Sequence, residues 1–237
     1  MSDPQLDALI ARWMAELERK RYDAAAKAFD GALAHDPRHL VALYQRANVA
    51  FALNDLAAAR AHCRAALEVH ASQPDLLMLE GTIAATAHDP AGALEAFERA
   101  RAAKPDLAGV DERIGEQLAF LGRGADAIAA YDRELARQPG NVALGSNRLF
   151  LLNHFGLYDR ARTFAEHREW GERVEREVAS ARRPHLNDRD PERRLRVGFV
   201  SPDLRNHAVA YWLESYLAGH DGARYPAHAF DVSPYAE

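Results

Sequence analysis

Cysteine is almost absent. Of 237 residues only Cys63 is one, which excludes an intramolecular disulfide and a cysteine-rich zinc site and makes a reducing compartment the default. Blocks of one charge are missing as well. Thirty Lys and Arg are interleaved with thirty-five Asp and Glu, for a formal charge of −5 and a pI near 6.1. That pattern leaves no electrostatic footprint for nucleic acid or an anionic membrane. Long hydrophobic runs do not occur either: the stretch from Leu40 to Leu53 is broken by Arg46, short of the roughly 20 apolar residues that span a bilayer. The opening Met1-Ser-Asp-Pro-Gln-Leu-Asp has no basic leader. A cytoplasmic chain with protein or small-molecule partners, neither nucleic acid nor membrane, is the expectation. The length allows one large domain or one and a half ordinary ones, and not two complete nucleotide-binding α/β domains.

What is plentiful is alanine at a fixed interval. Alanines 25, 59, 93, 127 and 161 are each 34 positions apart, the period of a tetratricopeptide helix–turn–helix unit. Four residues on come Phe29, Cys63, Phe97 and Tyr131, with a lapse at Ala165. Three further stand Ala32, Ala66 and Ala100, then Glu134 and Arg168. Five beyond those are Pro37, Ala71, Pro105, Pro139 and Arg173, and an earlier small position reads Trp13, Ala47, Gly81, Gly115 and Leu149. Small residues let paired helices approach while rings fill the remaining gap. Prolines end each second helix, and Asn54-Asp55, His88-Asp89-Pro90, Gly122-Arg123-Gly124 and Phe155-Gly156 make the turns within the hairpins. The reading is a mainly α, right-handed tetratricopeptide superhelix over 1–173 with about five repeats: 6–39, 40–73, 74–107, 108–141 and a degenerate 142–173. No hairpin buries its apolar face alone, so stacking supplies stability.

In tetratricopeptide arrays the first helix of each hairpin lines the concave surface, which puts Tyr44, Asn48, Phe51, Met78, Thr82, Glu112 and Glu116 there as candidates for holding a peptide. A solvated inner face without a ligand is the alternative. Cys63 stands in the aromatic register and reads as a small core residue. The histidines show no ligand spacing on one helix face, so no metal is assigned. Self-association stays open.

After the array, 174–194 reads as a helix end and a polar linker carrying Pro184, Asn187-Asp188 and Pro191. Leu195-Arg-Val-Gly-Phe-Val-Ser201 then reads as a buried strand, His207 to Gly219 as a helix and Ala227 to Val232 as a second strand. Strand, helix, strand is the start of an α/β sheet.

Three stretches carry a resemblance: Ser146-Asn-Arg-Leu-Phe-Leu-Leu-Asn153, His167-Arg-Glu-Trp170 and Leu195-Arg-Val-Gly-Phe-Val-Ser-Pro-Asp-Leu-Arg-Asn-His207. Together with the repeats they resemble glycosyltransferase family 41, the O-linked N-acetylglucosamine transferases and SPINDLY-like proteins, in particular the bacterial ones. The resemblance implies a two-lobed catalytic unit of which 195–237 is the incomplete beginning of the first, Rossmann-like lobe. It implies UDP-N-acetylglucosamine as the donor of the intact enzyme, held mainly by the second lobe, and protein acceptors guided by the solenoid. His207 matches the family's histidine facing the reaction centre. An imidazole there can hold or relay the proton leaving an acceptor hydroxyl. Many relatives follow that histidine with proline, where this chain has Ala208. Asp203 and Asn206 read as helix caps. The chain alone binds no cofactor and is expected to be inactive. A free-standing adaptor without enzymatic activity, and a GDP-sugar donor as in the fucosyl-transferring branch, remain as alternatives.

Overall fold

The computed structural model describes residues 22–186, 188–190 and 192–233. The first helix expected in hairpin 6–39, with Trp13, lies outside these residues, as do Asn187 and Pro191 of the expected linker. Two compact units are present, Met1–Ser180 and Ala181–Glu237.

The described part of the first unit is a run of helices: α1 (Tyr22–His35), α2 (Leu40–Ala52), α3 (Leu56–Val69), α4 (Pro74–Thr86), α5 (Pro90–Ala103), α6 (Val110–Phe120), α7 (Gly124–Arg137), α8 (Val142–Phe155) and α9 (Arg160–Val178), closed by a 3-10 turn at Ala179–Ala181. The turns set the hairpins. Asn54, His88, Gly122 and Gly156 have φ of 60°, 58°, 75° and 57°, and they too are 34 residues apart. A left-handed residue is a common way to stop a helix. Glycine reaches that region without strain, and Asn and His are among the other types found there most often. Directly after two of these turns, Asp55 and Asp89 accept the backbone N–H of Ala58 and Gly92, each at 2.9 Å, and so start α3 and α5. At the other end α1, α5 and α7 stop at His35, Ala103 and Arg137, two residues before Pro37, Pro105 and Pro139, because the residue preceding proline is forced out of helical geometry.

The core repeats the same logic. Ala25, Ala59, Ala93 and Ala127 are fully buried, and Phe29, Cys63, Phe97 and Tyr131 are buried one turn later. Each buried ring contributes roughly 1.5–3 kcal/mol. The rings need the small residues opposite them: a Cβ added to Gly81 would strike the Phe97 ring, and one added to Gly115 would lie 2.7 Å from Tyr131.

The period fails at the last helix. Its cap is Asp159, which accepts the N–H of Arg162 at 2.8 Å, two residues later than the spacing of Asp55, Asp89 and Arg123 dictates. Ala161, expected in the buried register, is therefore exposed, and no residue of α9 is buried. Trp170 takes over the contact by seating its ring on Gly145 of α8. His167 faces Asn153, with Nε2 3.1 Å from the amide nitrogen and Nδ1 2.9 Å from the Thr163 carbonyl. Nδ1 must then donate and Nε2 accept. The Asn153 and His167–Trp170 stretches thus hold α9 onto α8.

The second unit contains β1 (Val197–Ser201), α10 (Ala208–Gly219) and β2 (Ala227–Asp231). The strands pair in parallel, from Val197 opposite Ala227 to Ser201 opposite Asp231. Parallel neighbours require a crossover, which α10 supplies. Phe199 meets Tyr216 edge-on at 5.5 Å, and Leu213 is buried. The expectation of a buried first strand does not hold: Gly198 and Val200 are exposed, because among the described residues β1 has one strand neighbour and one covering helix. The fold as a whole is a mainly helical tetratricopeptide solenoid with two short strands after it.

Candidate functional site

The candidates on the first helices form two matched rows, Tyr44–Met78–Glu112 and Asn48–Thr82–Glu116, each stepping by 34 residues. All six, and Phe51, are half-buried. In the second and third hairpins the polar tips are turned back on their own helix: Asn48 Nδ2 donates to the Tyr44 carbonyl at 3.1 Å and Thr82 Oγ1 to that of Met78 at 2.8 Å. In the fourth the rows become acidic. Glu116 accepts from Arg113 at 3.1 Å. Glu112 has no ion pair or hydrogen bond among the described residues. Burial pushes its carboxyl up, the neighbouring Glu116 and Glu134 add to that, and Arg113 only partly opposes them.

One more step along the rows reaches Ser146 and Phe150 on α8, which the sequence reading stopped short of. Phe150 is 66% exposed and Phe120, at the end of α6, 79%. Between them opens a cavity of about 370 Å³ lined by Glu116, Ala119, Tyr131, Asn147, Leu151, His154 and Phe155 as well. Phe150 stacks on His154 with ring centroids 5.9 Å apart, and His154 meets Phe155 edge-on at 4.9 Å. The signal for Phe150 was its place 34 residues after Glu116.

Behind this surface α5, α6 and α7 share a buried charge cluster. Asp111 is 1% exposed and Glu134 fully buried. Asp111 accepts from Arg101 at 3.1 Å, Arg133 at 2.9 Å and Arg137 at 2.5 Å, while Glu134 accepts from Arg137 and Gln138, each at 2.6 Å, and from the Gly109 N–H at 3.0 Å. Burial raises both carboxyls, but the hydrogen bonds outweigh it and both end below their ordinary range. This is how a glutamate sits where the other hairpins have Ala32, Ala66 and Ala100. Both of its carboxylate oxygens have a donor.

His207 is the N-cap of α10. Its Nδ1 accepts the Val209 N–H at 3.3 Å and lies 3.9 Å from Asp203 Oδ2. With Nδ1 accepting, the ring proton sits on Nε2, so in this arrangement the exposed nitrogen is a donor. Asp203 and Asn206 do not cap the helix as expected. Asp203 donates its N–H to Ser201 Oγ at 3.1 Å, and Asn206 Oδ1 accepts from the Tyr211 hydroxyl at 2.6 Å. Cys63 is buried, its Sγ is 3.5 Å from the Leu76 carbonyl, and burial pushes its thiol up to about 12, with Glu80 adding and Arg99 opposing. That is not a nucleophile. Among the described residues no group of three or more His, Cys, Asp or Glu is placed to hold a metal ion, and no helix is long and apolar enough to cross a membrane.

Models of the tetratricopeptide repeat match residues 16–83 and 78–142. Among curated relatives, a probable UDP-N-acetylglucosamine–peptide N-acetylglucosaminyltransferase SPINDLY of Petunia hybrida is 38% identical over 87 residues, 37% of this chain and 9% of that protein. Its counterpart in Oryza sativa subsp. japonica is 35% identical over 101 residues, 41% of this chain and 10% of that protein. The chain thus spans about a tenth of the length of these relatives, and the likeness falls in the repeats. Among solved structures, a variant of the Thermobaculum terrenum O-GlcNAc transferase is 26% identical with a TM-score of 0.60, covering 84% of this chain and 38% of that one. MamA protein, 16% identical, has a TM-score of 0.67 and covers 77% of this chain and 98% of that one. YrrB, described as a tetratricopeptide protein with an unusual peptide-binding site, is 19% identical with a TM-score of 0.58 over 68% of this chain and 84% of that one. The last two show a shared fold alone.

Proposed function

We propose that this chain, whose residues 16–142 are tetratricopeptide repeats, is the amino-terminal part of a protein O-glycosyltransferase. It belongs, on this reading, to an enzyme that moves N-acetylglucosamine from UDP to Ser or Thr of proteins, with the array holding the acceptor polypeptide along its first helices. The observation that carries the reading is the order of parts: a helical array similar to the repeats of SPINDLY proteins, followed after a linker by a parallel strand–helix–strand whose first loop ends on His207. The Thermobaculum transferase also covers a larger share of this chain than MamA does, 84% against 77%. No residue of this chain is assigned to the sugar nucleotide. Among the described residues the second unit offers two five-residue strands and one helix, and on this reading the sugar nucleotide is held by a longer product of the same reading frame.

The test is transfer of labelled UDP-N-acetylglucosamine, with labelled GDP-fucose in parallel, by this polypeptide and by any longer product of the same reading frame. Label on protein Ser or Thr from the longer product alone is expected. A frame that closes at Glu237 with no transferase region after it, or a longer product that moves neither sugar, overturns the reading. In that longer product His207→Asn keeps a good helix cap and removes the imidazole. Transfer should fall by about 10²-fold or more with an unchanged melting midpoint; an equal rate would remove His207 from the chemistry.

A second reading is an adaptor without enzymatic activity, with which the tetratricopeptide models over 16–83 and 78–142 are equally compatible. A peptide complex of fixed stoichiometry, with no sugar transfer by any longer product, would select it.

A further inference from the structure

We propose that the cavity between α6 and α8 is a specificity pocket for a basic segment that carries one aromatic anchor. The ring of a Trp, Tyr or Phe enters between Phe120 and Phe150, and a Lys or Arg beside it reaches Glu112 and Glu116. The proposal rests on the array holding an acceptor polypeptide and adds which polypeptide it selects.

Three observations point to this occupant. The two phenylalanines flank a space of about 370 Å³ and remain largely exposed although their hairpins are otherwise well packed. A cavity of that size admits one aromatic side chain, and stacked or edge-on rings add to the area buried. The floor supplies a polar handle. Tyr131 is 3% exposed, lines the cavity, and makes no hydrogen bond among the described residues. Its hydroxyl is not sealed from solvent, and a bound backbone group or an indole N–H can pair with it. The charge beside the cavity has one sign in excess. Glu112 and Glu116 lie one turn apart on α6, Glu116 lines the cavity, and Arg113, the cation between them in sequence, is engaged with Glu116. A cation arriving from solvent satisfies Glu112 and relieves the repulsion between the two carboxylates, which an acidic or neutral segment cannot do. The corresponding rows in the earlier hairpins offer Tyr44, Asn48, Met78 and Thr82, with the Asn48 and Thr82 side chains bonded back to their own helix, so the preference is local to this step of the solenoid.

The experiment uses the whole chain and three short fluorescent peptides. One centres a Trp between lysines, one replaces that Trp by Ala, and one replaces the lysines by Glu. Anisotropy should show the first binding at least about tenfold tighter than either of the others, which is about 1.4 kcal/mol. Phe150→Ala, at an exposed position, should remove that advantage without moving the melting midpoint. The pair Glu112→Gln with Glu116→Gln should erase the preference for lysine over glutamate while keeping that for Trp. No binding of the first peptide, equal binding of all three, or full affinity in Phe150→Ala overturns the proposal. So does a dimer that Phe150→Ala converts to monomer, since a second copy would then be the occupant. Sugar transfer by a longer product together with any of those outcomes would leave the glycosyltransferase reading standing and this one fallen. The peptide preference without transfer would do the reverse.

Discussion

Gly81→Leu lowers the melting midpoint of the array by roughly 6–12 °C, the equivalent of about 3 kcal/mol of overpacking in a unit of this size. Two effects compete at this position. Leucine is the better helix former by about 0.5–1 kcal/mol, which alone would stabilise α4. Yet the first atom of any side chain there meets the Phe97 ring, and that ring is fully buried with nowhere to go. Packing wins. Gly31 of α1 makes the converse case, since a Cβ added there touches nothing within 4 Å. Gly31→Ala should therefore gain about 0.5–1 kcal/mol from propensity. Glu98→Trp, one residue past Phe97 and exposed, should leave the midpoint where it is. Thermal unfolding followed by circular dichroism measures all three. A Gly81→Leu chain as stable as the parent would mean that Phe97 does not fill the space opposite it.

The second large effect is electrostatic. Asp111→Ala should destabilise by about 2 kcal/mol, below the 3–5 of a fully buried broken pair, because its three arginines keep 32–45% of their side-chain surface in water. The dependence on pH follows from the same bonds. Asp111 and Glu134 are held below their ordinary range in the folded chain, so unfolding binds protons as the solution is acidified. Their contribution is complete above about pH 4–5, where the unfolded carboxyls are ionised too, and is lost as pH falls through the lowered folded values. The parent should lose stability on acidification below about pH 4, and Asp111→Ala should lose less over the same interval. Denaturation midpoints measured across that range decide it; parallel curves would show that the cluster does not titrate with folding.

The sequence made the hairpins legible because one steric requirement recurs at one spacing. Ala25, Ala59, Ala93 and Ala127 mark the tight contact, Pro37, Pro105 and Pro139 mark the helix ends, and the turn residues recur in step. It became illegible where the requirement was met by other means. A strict period put Ala161 in the core, but the two residues gained before Asp159 shift the phase so that Trp170 makes the contact. Glu134 stands as a lapse in an alanine register, and nothing in the sequence marks Asp111, because their stability lies in arginines 3–26 positions away. Phe120 and Phe150 were invisible as a site for a different reason. Neither breaks a pattern, and only their proximity in space makes a cavity. In the second unit the strand and helix positions were readable from composition, whereas the role of His207 at the head of α10 depends on which ring nitrogen faces the backbone.

Because Cys63 is the sole thiol of the chain and stays protonated inside the second hairpin, the array contains its own opening sensor. A thiol reagent can react there only during excursions that part α3 from α4, so the labelling rate counts those excursions with no engineered probe. Strain placed at one end of the solenoid can then be read at the point where it reaches the second hairpin.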